Sequence, residues 1–407
     1  MEGKNLALDQ MEFWDAKEKT NRLSLKEMET RREAREDYKK WENGISEGIV
    51  NAFRSLLSNP GDWRPPLSRL QCEMLENTDA CALEVPFTEE EVYGALLGCS
   101  GDKAPGLDGF SMAFWQFVWD FVKDDVMSFF REFYAHSKFV KSLNATFFVL
   151  IPKKVGTEDL RDFRPISLVG SLYKWLAKVL ANRLKKVVGN VVSKAQGAFV
   201  EGRQILDTML IANEAIDLVL KTNENGFGEK WIVCISTASF SMLVNSTSKG
   251  FFQSSRGLRQ GDPLSPYLFV IAMEVFSSFL KRVGRSEEGV QISHMLFADD
   301  TLVFCQASQD HLTYLSWLLM WFEAVSGLRI NLEKTELIPV GRVANIDDLA
   351  LDFGCRVDSL PSTYLGLPLG APFKLVSVWD GVEERFRRRL AMWKRQYLSK
   401  GRRATLI

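Results

Sequence analysis

Val290 to Phe304 reads VQISHMLFADDTLVF. Two β-type apolar runs flank Asp299 and Asp300, a pattern that predicts a hairpin with both carboxylates at its tip. Adjacent carboxylates between apolar strands cannot both be buried cheaply without a cation. Oxygen-only donors suit Mg²⁺ or Mn²⁺, and paired ions of this kind clamp the oxygens of a phosphoryl transfer. Taken alone, Asp-Asp is also a common turn dipeptide. Its meaning therefore depends on the rest of the chain.

Working outward, Gly327 stops a helix that follows the hairpin, and Leu328 to Val340 alternates like a strand. On the other side, Asp262-Pro263 reads as a helix start, with Asp262 as cap, Pro263 at the first helical position and an end near Arg282. Tyr173 to Val188 and Ile205 to Leu220 have amphipathic helical spacing, and Thr146 to Pro152 (TFFVLIP) reads as a short buried strand. Phe110 to Phe133 is aromatic-rich and helical in period, after a Gly/Pro turn from Lys103 to Gly109. Thr88 with Glu91 makes a capping-box pattern that opens a helix ending near Gly98. Residues 1–57 are charge-dense and read as helix, for example Leu25 to Trp41, before a loop at Ser58 to Gly61. Helices and short strands mixed this irregularly indicate an α+β fold, not a wound parallel sheet.

Composition narrows the class. The chain has 407 residues, 46% apolar and 25% charged, which is ordinary globular usage and enough for two or three domains. Six Cys, no two spaced C-x-x-C, and three His exclude a disulfide scaffold and a zinc finger. The opening MEGKNLALDQ lacks the apolar core of a signal peptide. No apolar run approaches the roughly 20 residues of a membrane span. The expectation is a soluble protein of a reducing compartment.

Lys and Arg (51) nearly balance Asp and Glu (52), but the signs are segregated. Residues 71–130 hold twelve acidic and two basic side chains, residues 141–203 twelve basic and four acidic, and Lys374 to Ile407 ten basic and three acidic. Segregation on this scale builds a polyanion-binding face on a neutral protein. One basic patch alone is also what a solvated helix face produces. Two patches favour nucleic acid as partner.

Eight motifs then occur in order: Lys103-Ala104-Pro105-Gly106-Leu107-Asp108-Gly109-Phe110, Leu150 to Lys154 (LIPKK), Asp162 to Leu168 (DFRPISL), and Gln196 to Gln204 (QGAFVEGRQ). Arg259 to Pro266 (RQGDPLSP), the Phe297-Ala298-Asp299-Asp300 box, Gly327 to Glu336 (GLRINLEKTE) and Tyr364 to Leu369 (YLGLPL) complete the series. The series resembles the reverse transcriptase of a LINE-type (non-LTR) retrotransposon of the kind found in plants. The likeness covers roughly Glu84 to the C-terminus, and more loosely the first 70 residues. A splicing maturase is a related, weaker match.

That resemblance implies a right-hand polymerase fold of fingers, palm and thumb that copies RNA into DNA from a 3′-hydroxyl primer. RNA template, DNA primer, their hybrid and dNTP would be its partners, and Mg²⁺ (or Mn²⁺) its cofactor. It implies an intracellular protein, nuclear if it works as the family does, with no membrane partner. Residues 1–85 would form an N-terminal helical and linker extension, 86–205 the fingers, with the reverse transcriptase core from about residue 134, 206–345 the palm with the FADD box, and 346–407 the palm end and a truncated thumb. Asp299 and Asp300 would be the catalytic metal carboxylates, with Phe297 near the primer end. Lys153, Lys154 and Arg164 would neutralise triphosphate or template phosphates. Arg164 has a competing reading as an ion pair with Asp162. Gln260 and Gly261 would position template and incoming nucleotide, and Lys334 would lie near the triphosphate or simply be a solvated strand lysine. Arg385, Arg387, Arg388, Lys394 and Arg395 would grip the nucleic-acid backbone.

The chain departs from the family pattern where the chemistry is most exposed. A two-metal polymerase needs a third carboxylate, which the family carries in an apolar-Asp-x-x-x-Ala-Tyr/Phe-Asp strand before a Gly-Phe-Gly-Glu-Lys-Trp segment. Here Asp217 to Trp231 reads DLVLKTNENGFGEKW, and that strand is absent. Asp217 falls on the preceding helical pattern and Glu224 in a polar stretch. Shorter losses are read at Trp231 to Cys234 and near Gly284 to Gly289, and Leu107 stands where the family usually has Pro. The end at Ile407 reads as a cut within the thumb, with no upstream endonuclease and no C-terminal Cys/His module. The expectation is a polymerase with an incomplete palm sheet, inactive as written. The alternatives are a non-catalytic nucleic-acid-binding remnant and a transposon fossil that does not fold.

Overall fold

The computed structural model describes residues 24–58, 75–204, 238–283, 293–371 and 376–395, apart from 158, 245–246, 255–256 and 342, together with 13 and 16–17. The helix expected from Ile205 to Leu220, Asp217, Glu224 and the segment from Gly284 to Gly289 lie outside the described residues. Helices and strands are mixed along the chain, as an α+β reading requires. Two compact units emerge, both discontinuous in sequence: Met1–Asp62, Pro86–Leu180 and Glu229–Ser265 form one, and Trp63–Val85, Ala181–Gly228 and Pro266–Ile407 the other. Among the described residues, no helix is long and apolar enough to cross a membrane.

The first unit is built on a four-stranded sheet. Strands β1 (Ala145–Pro152), β2 (Phe163–Val169), β3 (Ser239–Val244) and β4 (Thr247–Gln253) lie in the order β2-β1-β3-β4. β1 runs antiparallel to β2 and parallel to β3, with Phe148 opposite Ser167 on one side and Met242 on the other. Helix α1 (Leu25–Leu57) starts at a capping box in which Ser24 and Glu27 satisfy each other's backbone N–H. It runs to Leu57, the end of the stretch expected to be helical, and Val50 and Phe53 on its C-terminal half bury against Phe148, Phe240, Met242 and Phe252. Phe148 and Phe240 stack at 4.3 Å between ring centroids. Gly250, at φ +60, lets α1 approach: a Cβ there would meet Val50 Cγ1 at 2.6 Å.

Helices α3 (Glu89–Leu97) and α4 (Met112–His136), with the residues of α5 (Ser171–Val191) up to Leu180, close the unit around an aromatic core. Trp175 contacts Trp115, Trp119 and Phe130, and its indole N–H donates to Val92 O at 2.8 Å. Thr88 caps α3 by accepting from the Glu91 N–H at 3.2 Å. In the turn before α4, the Asp108 carboxylate accepts from both the N–H and the hydroxyl of Ser171 at 2.5 Å, which holds the start of α5.

In the second unit, α2 (Asn77–Glu84) is tied to the rest of α5, because Arg183 donates to Leu83 O and Val85 O at 3.1 and 2.7 Å. Helices α6 (Ser265–Val283), α7 (Gln309–Ser326) and α8 (Ile346–Phe353) enclose strand β5 (Ser293–Phe297), whose Leu296 is fully buried among Phe276, Leu280, Leu312 and Leu349. Gly327 ends α7 in the left-handed conformation at φ +71, as expected of a C-cap glycine. β6 (Asp300–Phe304) pairs with β5, and the short hairpin β9 (Ser362–Tyr364) and β10 (Leu367–Leu369) packs on this pair through Met295, Tyr364 and Leu369.

Two expectations are corrected. Leu328 to Val340 is not a continuous strand: it contains a 3-10 turn at Leu332–Lys334 and only the two-residue strand β7 (Glu336–Leu337), paired with β8 (Arg356–Val357). Its apolar residues Leu328, Ile330 and Leu337 serve the core of the second unit as a loop would, one at a time. Regular helix α6 begins at Ser265, three residues after Asp262, whose carboxylate accepts from the Leu264 N–H at 2.9 Å as a cap does while also pairing with Arg259.

Candidate active site

The hairpin at Phe297 to Asp300 forms as expected, with Phe297 opposite Asp300 and a two-residue turn of Ala298 and Asp299. Side chains alternate across β5. His294 and Leu296 face the helical core, whereas Met295 packs with Tyr364 and Leu369, and Phe297 joins it there. Both faces being covered explains why the run is almost continuously apolar. Asp299 and Asp300 remain exposed at the tip.

The turn is strained. Ala298 sits at φ +54, the first central position of a turn whose geometry ordinarily calls for glycine. Gln196, with no solvent exposure, accepts through Oε1 from the Ala298 N–H at 3.1 Å and from the Ala198 N–H at 3.0 Å. Its backbone bridges β5: Leu296 N–H donates to Ala195 O at 2.8 Å and Gly197 N–H to Leu296 O at 2.7 Å. Beyond the turn, the Tyr364 hydroxyl donates to Asp300 O at 3.2 Å. Burial, then the Asp300 charge, pushes the Tyr364 phenol well above its ordinary range.

Electrostatics at the tip follow from the two carboxylates. Partial burial and the charge of Asp299 raise the Asp300 carboxyl above its ordinary value, against the opposing pull of Lys334. Lys334 thus lies within electrostatic reach of Asp300, on the 3-10 turn and not on a strand. Behind the hairpin, His294 Nε2 and Ser277 Oγ are 2.7 Å apart, Ser277 Oγ and Ser193 Oγ 3.1 Å, and the Ser193 N–H donates to Glu274 at 2.9 Å. Glu274 pairs with Lys281 at 3.0 Å. Burial, then the Lys281 charge, lowers the His294 pKa to about 3, so its imidazole is neutral.

The remaining expected site residues divide between the units. Phe297, Asp299, Asp300, Lys334 and the basic helix α9 (Asp380–Arg395) belong to the second unit. On α9, Arg387 pairs with Glu383 at 2.7 Å, Arg388 with Glu384 at 2.8 Å, and Arg385 donates to Gly381 O and Gly366 O. Lys394 and Arg395 lie on this helix, and their side chains are outside the described residues. Lys153, Lys154, Arg164, Gln260 and Gly261 belong to the first unit. Lys153 donates to Arg161 O at 2.5 Å, and Lys154 takes Asp162 as its partner at 2.8 Å. The competing reading of Arg164 as the partner of Asp162 is not met: Arg164 is exposed, opposite Ile151, with no ion pair among the described residues.

Gln260 and Gly261 sit on a loop braced from beneath. The Arg259 guanidinium lies 4.2 Å from the Tyr173 ring centroid, donates to Asn144 and to Thr146 Oγ1 at 3.2 Å, and pairs with Asp262 at 2.8 Å. Tyr173 donates to the same Asp262 carboxylate at 2.8 Å. Gln260 O accepts from the Ser167 N–H at 2.8 Å, and Gly261 adopts φ +107 with Ser167 O only 2.8 Å from where a Cβ would stand. Both loop residues are exposed.

Residues 151–369 match the family model for reverse transcriptase (RNA-dependent DNA polymerase). The chain belongs to this family. This reverse transcriptase domain is 28% identical over 349 residues to the transposon TX1 uncharacterized 149 kDa protein of Xenopus laevis, covering 77% of the chain and 26% of that protein. It is 27% identical over 226 residues to the retrovirus-related Pol polyprotein from the type-2 retrotransposable element R2DM of Drosophila melanogaster, covering 46% of the chain and 20% of the relative. A shorter match, 47% over 68 residues, joins 14% of the chain to 56% of an uncharacterized mitochondrial protein of Arabidopsis thaliana. The chain thus spans 26% and 20% of the two transposon proteins. The reverse transcriptase is of the non-LTR retrotransposon kind, as its ordered motifs imply.

Gln196, Arg203, Arg259 and Tyr364 all stand inside the quoted motifs, yet the sequence alone assigns none of them a distinct role. Gln196 offered one signal, a polar side chain directly before an apolar Gly-Ala-Phe-Val run. Nothing in that run names Ala298, 102 residues away, as its partner.

Proposed function

We propose that the chain is the RNA-directed DNA polymerase domain of a non-LTR retrotransposon, built for two-metal nucleotidyl transfer but catalytically deficient as written. The observation that carries this is the strained turn that presents Asp299 and Asp300 together at an exposed tip. The donor set fits a hard divalent cation: partial burial and then the neighbouring Asp299 charge raise Asp300, and a cation at the two carboxylates would offset both. When bound, Mg²⁺ or Mn²⁺ would polarise a phosphoryl oxygen and activate the primer hydroxyl. Asp299 and Asp300 would hold it, and Lys334 would supply a further positive charge for the triphosphate. Phe297 would line the primer end, and Gln260 and Gly261 would offer an exposed, close-approach surface to template and nucleotide. Lys153, Lys154 and Arg164 would neutralise phosphates, and the Arg side chains of α9 the backbone of an RNA–DNA hybrid. In this reading residues 86–205 serve as fingers, 206–345 as palm and 346–407 as the start of a thumb.

Deficiency follows from chemistry. The apolar-Asp-x-x-x-Ala-Tyr/Phe-Asp segment that would bring the third carboxylate is missing from the sequence. Losing one such electrostatic element commonly costs about 10²–10³ in rate. Primer extension on an RNA template, with Mg²⁺ and then Mn²⁺, tests the reading beside an Asp299→Ala, Asp300→Ala control. The chain is expected to bind hybrid yet extend primer no better than the control. Extension that the control abolishes would overturn the deficiency, and failure to bind hybrid would overturn the polymerase reading of the basic segments.

A further inference from the structure

We infer that Gln196 is the positioning residue of the Asp299–Asp300 turn, acting through the backbone N–H of Ala298. The inference rests on the reading of those carboxylates as metal ligands, and extends it to what aims them. Three observations converge. Ala298 holds φ +54 in the tightest part of the turn, a conformation that an alanine keeps only when its surroundings over-determine it. Gln196 Oε1 supplies that constraint, accepting from Ala298 at 3.1 Å while the Ala198 N–H, at 3.0 Å, fixes the amide from the other side. The segment that carries Gln196 is itself pinned to β5 by the two backbone bonds to Leu296.

Arg203 completes the brace. Its guanidinium donates to the carbonyls of Ser193 at 2.6 Å, Gln196 at 2.5 Å and Val192 at 3.3 Å, so the loop from Val192 to Arg203 is knotted around one cation. Gln196 is a poor choice for packing alone. It is fully buried, and its Nε2 has no hydrogen-bond partner among the described residues, a condition that costs stability. An apolar side chain of similar volume would fill the space without that cost. What the glutamine alone contributes is an acceptor facing Ala298. Rotating the Ala298 peptide would re-aim Asp299 directly and shift Asp300 through its pairing with Phe297.

The test compares the full chain with Gln196→Leu, Gln196→Glu, and Gln196→Leu combined with Ala298→Gly. Two quantities are read: Mn²⁺ binding followed by electron paramagnetic resonance, and hydrogen exchange of the Ala298 amide without metal. Gln196→Leu is expected to weaken Mn²⁺ binding by about 10–100-fold, the range for groups that orient metal ligands. It should also deprotect Ala298. Gln196→Glu keeps an acceptor and should retain protection, and Ala298→Gly, which removes the strain, should return Mn²⁺ affinity toward the original value. A folded Gln196→Leu chain with unchanged Mn²⁺ affinity or unchanged Ala298 protection overturns the inference. If the unaltered chain shows no Mn²⁺ binding that Asp299→Ala, Asp300→Ala removes, the metal reading fails by itself, and Ala298 exchange still decides the role of Gln196. If Gln196→Leu does not fold, Ala298→Gly in the same chain must restore folding, and continued unfolding counts against the inference.

Discussion

Arg259 and Asp262 form an ion pair at 2.8 Å with side chains only 5% and 3% exposed, and they bracket the two exposed residues Gln260 and Gly261. This exposed loop is thereby anchored at both ends by one buried contact. Tyr173 joins it twice, lying beside the guanidinium as a ring and donating to the carboxylate as a phenol.

Breaking that pair from one side leaves a buried charge without compensation. Arg259→Met is expected to destabilise the chain by about 3–5 kcal/mol. Arg259→Met with Asp262→Leu should recover much of the loss, since no isolated charge then remains buried. Urea unfolding followed by circular dichroism measures both, and equal losses in the single and double variants would contradict the account.

Gly261 cannot accept a side chain in its present conformation. At φ +107, with Ser167 O 2.8 Å from the Cβ position, Gly261→Ala strains the backbone and collides with a carbonyl. The expected cost is about 1–3 kcal/mol. Gly109, at φ +74 with open space around it, provides the comparison: Gly109→Ala meets no neighbour and should cost less. Thermal melts of the two variants rank them.

Asp300 destabilises the fold at neutral pH. Its carboxyl is raised in the folded chain, so folding favours the protonated form, and the ionised form carries the cost of partial burial and then the unfavourable interaction with Asp299. Asp300→Asn is therefore expected to melt higher than the unaltered chain at pH 7. The difference should shrink as pH falls through the folded-state value, where the original carboxyl takes up its proton. Melting curves between pH 7 and pH 4 test the sign.

His294 acts in the opposite direction. Its folded pKa of about 3 lies below the ordinary 6.5, so the unfolded chain takes up a proton first as the solution is acidified. Stability is fully present above pH 6.5 and is lost below it, approaching one proton's slope, about 1.4 kcal/mol per pH unit. His294→Gln should remove that component and flatten the profile between pH 6.5 and 5. Identical profiles for the two chains would rule out His294 as its origin.

Local rules reached far along this chain. The hairpin at Phe297 to Asp300, the α7 stop at Gly327, the Thr88 cap and the strand from Thr146 to Pro152 all depend on neighbours within a few residues, and each appears where its pattern stands. The failures have a common cause. Asp262 accepts from the Leu264 N–H as a cap does, but its pairing with Arg259 and Tyr173, the latter 89 residues away, is invisible to local rules. Leu328 to Val340 has the alternation of a strand, yet it finds only a two-residue pairing partner in Arg356–Val357.

The site divides along the same line. Sequence by itself determined the family, through eight motifs in order, and with it the hairpin that carries Asp299 and Asp300, because each motif is short and local. The absence of an apolar-Asp-x-x-x-Ala-Tyr/Phe-Asp pattern is likewise legible in the text alone. Only the tertiary structure decided what holds the turn: Gln196 against Ala298, Tyr364 against Asp300 O, and Lys334 within reach of the Asp300 charge. Those partners lie 34 to 102 residues apart in the chain. A hydrogen bond or a Coulomb interaction acts over a few ångströms of space, so no spacing rule along the sequence records it.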